Sequence, residues 1–427
     1  MSEAEMKCEL MIIGGGLAGM AASIFAADKG IETFQTGNTT ELSLVSGLID
    51  LMGVFPVSDG VFQTNPFDAI EAVSQNMPNH PMAKIKQLDI SLAIDRVVEV
   101  LNKSGLPYVC EKEKNQLMIT SVGTVKPSYC IPFSMIEGVK AYQSKTPCLI
   151  VDIERMKGFS ARQVAETLKD EWSDISYTSV AFPEKRGEIF AKAAAVALEH
   201  PEVLKQFAVN IIPHIKENKA VGFPAILGMD KSQQVKEELE KILGVPVFEI
   251  PMLPPSLPGI RLRNTVEFYL KDNGVTLLGQ KKILAAERSA AGNHLFTVGE
   301  DLDSETVKVE AEAAVLASGR FLGSGLSADY SSIIETVFGI PVAQPENRRQ
   351  WHSKDFFDKE GHPINSAGIE IDEFFRPLNS DGRPFLDNLF AAGSILANND
   401  WMRMKSGAGS AITTAYAAVD SYLKLNK

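Results

Sequence analysis

Cysteine is scarce in this chain, and its spacing excludes two kinds of metal centre. The 427 residues include four cysteines, and no two of them form a Cys-x-x-Cys motif. That spacing excludes an iron–sulfur cluster built by this chain alone and argues against a structural zinc site, so we predict no metal. An even number of cysteines does not indicate a disulfide framework in a chain of this length. We expect a cytoplasmic protein with free thiols at Cys8, Cys110, Cys130 and Cys148.

Long apolar runs and an excess of positive charge are also missing. No stretch reaches the ~20 apolar residues of a membrane span, and the acidic segment Met1–Lys7 does not resemble a signal peptide. The formal net charge of −12 argues against nucleic acid or an anionic membrane surface as a direct partner. A local basic pocket for an anionic substrate is still compatible with that charge. We expect contact with a membrane only through a partner.

The most informative segment that is present is a glycine cluster near the N-terminus. The apolar run Cys8–Ile13 predicts a strand, the cluster follows it, and an alanine-rich helix comes next. In this context the first glycine permits a tight turn, the second lets a phosphate approach the backbone, and the third lets the helix pack on the strand. The helix N-terminus offers unpaired N–H groups to the phosphate. We predict that a dinucleotide or flavin binds at Gly14, Gly15, Gly16, Leu17, Ala18 and Gly19.

Hydrophobic periodicity divides the chain into two parts. Strands are predicted at 8–13 and 31–36 around a helix at 17–29, and strand signals return after residue 274 before a final helix at 407–424. Between these ends helical periodicity dominates, at 68–77, 86–104, 160–171, 186–198 and 231–243. We predict an α/β protein: a Rossmann-like FAD/NAD(P)-binding domain at 1–64 plus 271–427, and an inserted α+β domain at 65–270 that contacts substrate or a partner.

One residue type is missing at an informative position. A carboxylate about 20 residues past such a glycine cluster normally binds the adenosine ribose. The equivalent stretch here, Phe34–Asn38, contains no acid, and Glu32 comes too early and is expected to face solvent. The adenosine half of a dinucleotide is then either held by amide and hydroxyl groups, with Thr36 as a candidate, or absent. FAD and FMN both stay open.

Two later segments resemble motifs of the two-dinucleotide-binding-domain flavoproteins. Val315–Gly319 resembles their second strand motif, with serine in place of threonine, and Leu389–Ser394 resembles the last, with Ser394 where an acid usually holds the ribityl chain. In such proteins the loop after the second strand runs along the flavin, and a late helix N-terminus points at the flavin pyrimidine and stabilises negative charge there. The resemblance implies cofactor contacts at Ser43, Ser46, Gly47, Ser318, Gly319, Gly393, Ser394, Gly407 and Ala408.

Six segments spread over nearly the whole chain are similar to one narrower family. They are Met11–Gly19, Ser46–Leu51, Leu149–Arg162, Leu253–Leu262, Leu316–Gly325 and Asn388–Gly393. The family they resemble is the B subunit of the anaerobic glycerol-3-phosphate dehydrogenase of bacteria. The resemblance implies oxidation of sn-glycerol 3-phosphate to dihydroxyacetone phosphate, with electrons passed toward menaquinone. It also implies a second flavoprotein, the A subunit, an iron–sulfur protein, the C subunit, that docks the pair on the inner face of the cell membrane, and FMN as the usual cofactor of the B subunit.

Oxidation of a phosphorylated alcohol needs a phosphate-binding group and a base. The proline-rich segment 251–259 predicts a loop. If the segment after this loop is extended, Arg261 and Arg263 share a face, and paired guanidiniums bind phosphate well. His352 and His362 lie between the second and third flavin motifs and are candidates for the base that takes the carbinol proton. Arg403, which precedes the last helix, is a candidate contact to the flavin pyrimidine, the substrate or a partner.

Two other functions fit the same motifs. One is a stand-alone flavin oxidoreductase of the fumarate reductase or succinate dehydrogenase kind, although the arginine and paired histidines that bind carboxylates in such enzymes are not evident here. The other is a flavin-bearing electron-relay protein with no substrate chemistry of its own, which is compatible with a role as the B subunit.

Overall fold

The chain folds into two compact units. A computed structural model describes residues 5–183, 187–301 and 304–426. Unit 1 comprises Met1–Glu41, Asp50–Val100 and Val266–Lys427, and unit 2 comprises Leu42–Ile49 and Leu101–Thr265. These bounds differ from the predicted 1–64 plus 271–427 and 65–270, since residues 65–100 lie in unit 1. Polar contacts hold residues 65–100 in unit 1, for example the 2.6 Å ion pair between Arg96 and Asp28.

Strands are distributed over the whole chain. They are β1 (Glu5–Ile13), β2 (Thr33–Gly37), β3 (Tyr108–Cys110), β4 (Gln116–Ile119), β5 (Val125–Ser128), β6 (Cys130–Pro132), β7 (Cys148–Ile153), β8 (Ile175–Val180), β9 (Ala220–Pro224), β10 (Val247–Ile250), β11 (Thr276–Gly279), β12 (Lys282–Arg288), β13 (His294–Gly299), β14 (Val307–Leu316), β15 (Leu326–Ala328), β16 (Ile333–Glu335), β17 (Val342–Ala343), β18 (Gly368–Ile369) and β19 (Leu389–Ala391).

Helices lie between many of the strands before β11, and two more follow β19. They are α1 (Leu17–Asp28), α2 (Pro66–Asn76), α3 (Gln87–Lys103), α4 (Ile136–Ser144), α5 (Ala161–Leu168), α6 (Ala191–Leu198), α7 (Pro201–Ile215), α8 (Ser232–Leu243), α9 (Leu257–Asp272), α10 (Trp401–Met404) and α11 (Gly407–Asn426). Within the described ranges, none of them combines the length and apolarity that a membrane span requires.

Unit 1 is built on a seven-stranded sheet in the order β11-β2-β1-β14-β13-β12, with β19 also paired to β14. The strands β11, β2, β1, β14 and β19 pair in parallel, whereas β12 and β13 add antiparallel pairs. One edge of β14 therefore pairs first with β13 and then with β19. This arrangement confirms the predicted Rossmann-like fold, in which parallel strands end at one common edge.

The helix after the glycine cluster is packed on several sides. Residues Ala18–Ala26 of α1 are all buried, which suits a sequence of mostly small apolar residues with no polar face. Helix α11 packs beside it, and the rings of Phe25 and Tyr416 meet edge to face at 5.3 Å. The N-terminal and C-terminal parts of the chain thus form one layer on the sheet.

Unit 2 contains a four-stranded parallel sheet in the order β10-β9-β7-β8. Alternate residues of β7 enter different cores: Ile150 packs with Trp172 and Phe248, whereas Val151 packs with Phe207 and Phe223. Because both of their faces are covered, the central strands β7 and β9 are buried without alternation. Antiparallel pairs β3–β6 and β4–β5 complete the inserted α+β region.

The structure corrects the expectation that all cysteines are free thiols. Cys110 and Cys130 are direct partners in the β3–β6 pair and form a disulfide, with their Cα atoms 4.3 Å apart. A separation of 20 residues hides this pairing in the sequence, since register decides it. Cys8 and Cys148 are free and buried, and burial raises the pKa of Cys8 to about 12.

Several predicted elements change in extent. The predicted helices at 68–77, 86–104, 160–171 and 231–243 correspond to α2, α3, α5 and α8, and the one at 186–198 begins at Ala191, with Arg186 outside the described residues. The strand signals after residue 274 include β14, whose burial pattern changes from alternating to continuous along its length. Helices α4 and α7 were not predicted.

Candidate functional site

The glycine cluster forms a turn so tight that two of its glycines admit no side chain. Gly14 has a φ of +144°, and a Cβ atom there would lie 2.1 Å from the carbonyl oxygen of Ala317. A Cβ atom at Gly19 would lie 2.0 Å from the carbonyl oxygen of Gly14. Strand β1, the start of α1 and the end of β14 therefore touch through backbone atoms, as the sequence analysis expected of the first and third glycines.

Gly16 differs from its neighbours because space is open beside it. It is the N-cap of α1 and has no side chain to bind the first N–H groups of the helix. A Cβ atom at Gly16 would meet only one group within 4 Å, the carboxylate oxygen Oε2 of Glu41 at 3.9 Å. A glycine-capped helix N-terminus that faces open space fits a phosphate group, which the N–H groups and the helix dipole both attract.

Gln35 lies in β2, within the stretch where an acid is missing, and its side chain is used inside the fold. It is 5% exposed, its Nε2 donates to the carbonyl oxygen of Gly14 at 2.9 Å, and its Oε1 accepts from the hydroxyl of Ser23 at 3.0 Å. Thr36 donates its hydroxyl to the carbonyl oxygens of Leu278 and Lys281. Gln35 thus braces the glycine turn, the Thr36 hydroxyl binds the end of β11 and the turn that follows it, and a contact from Thr36 to the cofactor stays a prediction. Glu32 is exposed.

The second and third motifs end beside the first. Leu316 on β14 pairs with Ile13 on β1 and with Ala391 on β19, so the segments after all three strands meet at one edge. Gly319 and Gly393 both have positive φ, at +72° and +82°. The backbone N–H of Gly393 donates to the hydroxyl of Thr414, which ties this motif to α11. The structure therefore brings together Gly16, Ser318, Gly319, Gly393 and Ser394. We call this group of residues the cradle.

Glu41, which was not predicted, points toward the edge where these motifs meet. Its oxygen Oε2 lies within 3.9 Å of the Cβ positions of Gly16 and Gly319, and its Oε1 lies 2.5 Å from the Cβ position of Gly323. Among the described residues, Glu41 Oε1 and the hydroxyl of Ser318 are buried without a hydrogen-bond partner. Burial raises the pKa of the Glu41 carboxyl. An acid in a polar loop carries no sequence signal, so only the fold reveals it.

The start of α11 offers a second helix N-terminus. Gly407 and Ala408 open the helix, and the hydroxyl of Ser406 just before it is buried with no partner in the part of the chain that the structure describes. Two further buried donors without a partner there belong to Asn399 and Trp401. Buried polar atoms that have no hydrogen-bond partner in the protein need a ligand or water to bind them. The contacts predicted for Gly407 and Ala408 stay predictions, and these donors favour them.

Ser43, Ser46 and Gly47 lie in a loop of unit 2, and the contacts described here for Ser43 and Gly47 are made within that unit. Gly47 has a φ of +78°, and a Cβ atom there would lie 2.6 Å from Cβ of Pro258. Its carbonyl oxygen accepts from the hydroxyl of Tyr108 at 2.6 Å. The carbonyl oxygen of Ser43 accepts from the backbone N–H of Ser256. A flavin contact by this loop stays a prediction.

Arg261 and Arg263 do not share a face, because the segment is helix α9 rather than an extended strand. Residues two positions apart on a helix point about 200° apart. Arg261 is 3% exposed and donates to both carboxylate oxygens of Glu249, at 2.6 and 2.9 Å, and to the carbonyl oxygen of Gly228. Its guanidinium is thus used to join α9 to β10, and the premise of the predicted phosphate pair is wrong.

His352, His362 and Arg403 lie in one region. The two imidazole rings are 5.3 Å apart, and the guanidinium of Arg403 donates to the carbonyl oxygens of Asp358 and Lys359. His362 Nδ1 accepts from the N–H of Ser353, so its Nε2 donates to the carbonyl oxygen of Phe356. Both ring nitrogens of His362 therefore already have hydrogen-bond partners. His352 is exposed and is the better candidate for a base.

Arg320, which follows the second motif, was not predicted and holds this region in place. Its guanidinium donates to the carbonyl oxygens of Ile364, Asn365 and Ala367. Burial lowers the pKa of Arg320. In the described ranges no group of His, Cys, Asp and Glu side chains could hold a metal ion.

Strands β1, β14 and β19 each lead into a glycine motif, and the three motifs surround the N-terminus of α1, which faces open space. This arrangement defines a Rossmann-type flavin-binding oxidoreductase domain. The chain belongs to the FAD binding domain family, which it matches over residues 9–410, and within it to the family of anaerobic glycerol-3-phosphate dehydrogenase B subunits. The cofactor is therefore a flavin, and the family description gives FAD.

Two relatives cover nearly the whole chain. A protein from Vibrio vulnificus, named as the B subunit of anaerobic glycerol-3-phosphate dehydrogenase, is 29% identical over 442 residues, which cover 99% of this chain and 98% of the relative. A protein from Halobacterium salinarum, named as the probable B subunit of the same enzyme, is 30% identical over 427 residues, with 97% of each chain covered.

Solved structures resemble the chain more loosely. Quinol fumarate reductase of E. coli aligns over 99% of this chain and 71% of that chain, at 9% identity and a TM-score of 0.45. Such a likeness carries no argument about substrate, so it does not favour the fumarate reductase alternative.

Proposed function

We propose that this chain is the flavoprotein B subunit of a quinone-linked anaerobic glycerol-3-phosphate dehydrogenase. It oxidises sn-glycerol 3-phosphate to dihydroxyacetone phosphate and passes the electrons on to a partner. The observation that supports this proposal most is the similarity over nearly the whole chain to relatives of that name, 27–30% identical, combined with the three-motif cradle in unit 1.

The chain's own residues supply binding and proton transfer in this proposal. The N–H groups after Gly16 would hold a flavin phosphate, and the N-terminus of α11 with the Ser406 hydroxyl would offer hydrogen bonds to the flavin ring. A bound flavin supplies the hydride-accepting ring. His352, through an imidazole nitrogen, takes the proton of the substrate hydroxyl, and Arg403 binds the substrate phosphate after exchanging its carbonyl partners.

Other proteins complete the proposed enzyme. The relatives are named as the B subunit of an enzyme, which implies further subunits. We assign to them a second flavoprotein, the A subunit, and an iron–sulfur protein, the C subunit, that docks the assembly at the cytoplasmic face of the membrane and leads to menaquinone. The net charge of −12 favours membrane contact through such a partner rather than directly.

A relay role without substrate chemistry is the second candidate. The engagement of both His362 nitrogens and of the Arg261 guanidinium favours it, because these groups are then not available to substrate. In this case a partner oxidises glycerol 3-phosphate and this chain only transmits electrons.

Dye reduction separates the two candidates. The flavin-loaded chain is mixed with glycerol 3-phosphate and a dye acceptor, alone and together with the co-expressed partner proteins. The dehydrogenase proposal expects reduction by the chain alone and a large loss of kcat in His352→Gln, with His214→Gln, an exposed histidine of unit 2, as the control. Activity only in the assembly, unaffected by His352→Gln, would support the relay instead. An assembly inactive with glycerol 3-phosphate would contradict both.

A further inference from the structure

Glu41 presents a carboxylate to the cradle from a segment outside the three glycine motifs. It lies in the short 3-10 helix Thr40–Leu44 that follows β2. Its Oε2 lies near Gly16 and Gly319, and its Oε1 is buried without a hydrogen-bond partner in the described structure. A buried acceptor without a donor costs free energy, so the arrangement calls for a ligand that donates.

The chemistry of the ligand limits what Glu41 can bind. An ionised carboxylate only accepts hydrogen bonds, and a flavin phosphate at neutral pH has only acceptor oxygens to offer. Direct contact between the two would be repulsive. The donors that a flavin brings to a phosphate cradle are the hydroxyls of its ribityl chain and, in FAD, of the adenosine ribose.

The neighbouring third motif leaves room for such a carboxylate. Ser394 stands after Gly393, and its hydroxyl lies 3.8 Å from the Cβ position of Gly319, while Glu41 Oε2 lies 3.7 Å from the same point. Gln35 cannot serve, since both ends of its amide are engaged with Gly14 and Ser23. Among the described residues at this strand edge, Glu41 is the acid with a buried oxygen that has no hydrogen-bond partner.

We propose that Glu41 binds a hydroxyl of the flavin's sugar chain, and so supplies from the loop after β2 the carboxylate that Ser394 does not provide. The proposal rests on the flavin site of unit 1 and is independent of the substrate. It makes Glu41 a cofactor-binding residue that sets flavin affinity.

Flavin titrations of the full-length apoprotein test this role. Fluorescence quenching gives the Kd of FAD, FMN, riboflavin and lumiflavin for wild type, Glu41→Gln, Glu41→Ala and the control Glu32→Ala, an exposed acid just before β2. Loss of a charged hydrogen bond should weaken binding roughly 10-fold or more. We expect that loss in both Glu41 variants for riboflavin, FMN and FAD, and not for lumiflavin, which has no ribityl chain. Glu41→Ala with Ser394→Asp should regain part of the affinity.

The ligands also distinguish the two sources of a hydroxyl. Weakening for riboflavin assigns Glu41 to the ribityl chain, and weakening for FAD alone assigns it to the adenosine ribose. Tighter binding of FMN and FAD in Glu41→Gln would overturn the proposal, because Glu41 would then repel phosphate. An equal loss of affinity for lumiflavin would assign Glu41 a structural role and would also overturn the proposal. So would a fall in Tm large enough to unfold the variant under the conditions of the titration. A wild type that binds no flavin would contradict the flavin site itself.

Discussion

At the scale of the residue, the glycines of the first motif serve different purposes that their spacing does not reveal. Gly14 is needed by the fold, since its φ of +144° and the nearby carbonyl oxygen of Ala317 leave no place for a side chain. Gly16 has extended backbone angles that any residue adopts, and open space beside it. The fold therefore tolerates a side chain at Gly16, whereas a phosphate in the cradle does not.

Alanine at these two positions should separate stability from flavin binding. Gly14→Ala should lower the free energy of unfolding by roughly 3 kcal/mol, through backbone strain and a steric clash. Gly16→Ala should lower it by only about 1 kcal/mol or less, since alanine is a poorer N-cap than glycine, yet weaken FMN and FAD binding, because the methyl group occupies the phosphate approach. Urea unfolding of the apoprotein and flavin titration measure the two effects. Equal unfolding curves for both variants would contradict this division.

At the scale of the element, the pair of Arg261 and Glu249 fastens helix α9 to strand β10. Both side chains are almost fully buried, at 3% and 0% exposure. Glu249 also accepts from the backbone N–H of Leu227 at 2.6 Å. A buried ion pair with its hydrogen bonds filled is strongly destabilising to break, since the remaining charge is left unpaired.

Removing one partner of this pair should therefore cost more than removing both. Arg261→Met is expected to lower the free energy of unfolding by roughly 3–5 kcal/mol, and addition of Glu249→Leu should recover much of that loss. The control is Arg162→Met, an exposed arginine on α5 of the same unit. Urea unfolding measures all three variants. A double variant less stable than Arg261→Met would show that the pair does more than cancel charge.

At the scale of the whole molecule, two buried histidines of unit 1 should make the protein sensitive to acid. Burial lowers the pKa of His80 and of His294 to about 4 in each case. His80 Nδ1 accepts from the N–H of Met82, and its Nε2 contacts the side-chain oxygen of Asn399 at 3.3 Å. Both rings are thus neutral in the folded protein at neutral pH.

The direction of the pH effect follows from proton uptake. In the unfolded chain a histidine titrates near pH ~6.5, so between that pH and about 4 the unfolded state binds more protons than the folded state. Stability is therefore complete above pH ~6.5 and falls as the pH drops, by an amount on the order of 3 kcal/mol per histidine near pH 4. Urea unfolding from pH 7 to 4.5 should show a shallower slope for His80→Gln than for wild type. An unchanged slope would contradict a neutral buried His80.

Prediction from the sequence worked where a local pattern has one structural solution. A strand, three spaced glycines and an alanine-rich run predicted β1, the turn and α1, and the later glycine-terminated strands were confirmed as β14 and β19. It was wrong where the pattern was ambiguous. A shared face for Arg261 and Arg263 required an extended segment after the proline-rich loop, but helix α9 already begins at Leu257. The pairing of Cys110 with Cys130 depends on strand register, which no local signal contains.

The sequence by itself determined the class of cofactor and the order of the motifs that bind it, because glycines at tight turns are required by backbone geometry and are visible in the sequence alone. Only the tertiary structure decided which polar groups surround that cofactor. Glu41, Gln35 and Arg320 are ordinary residues in the sequence, and their roles arise from side chains brought together by strands that are distant along the chain. Long-range packing, rather than local propensity, places them at the cradle and its edge.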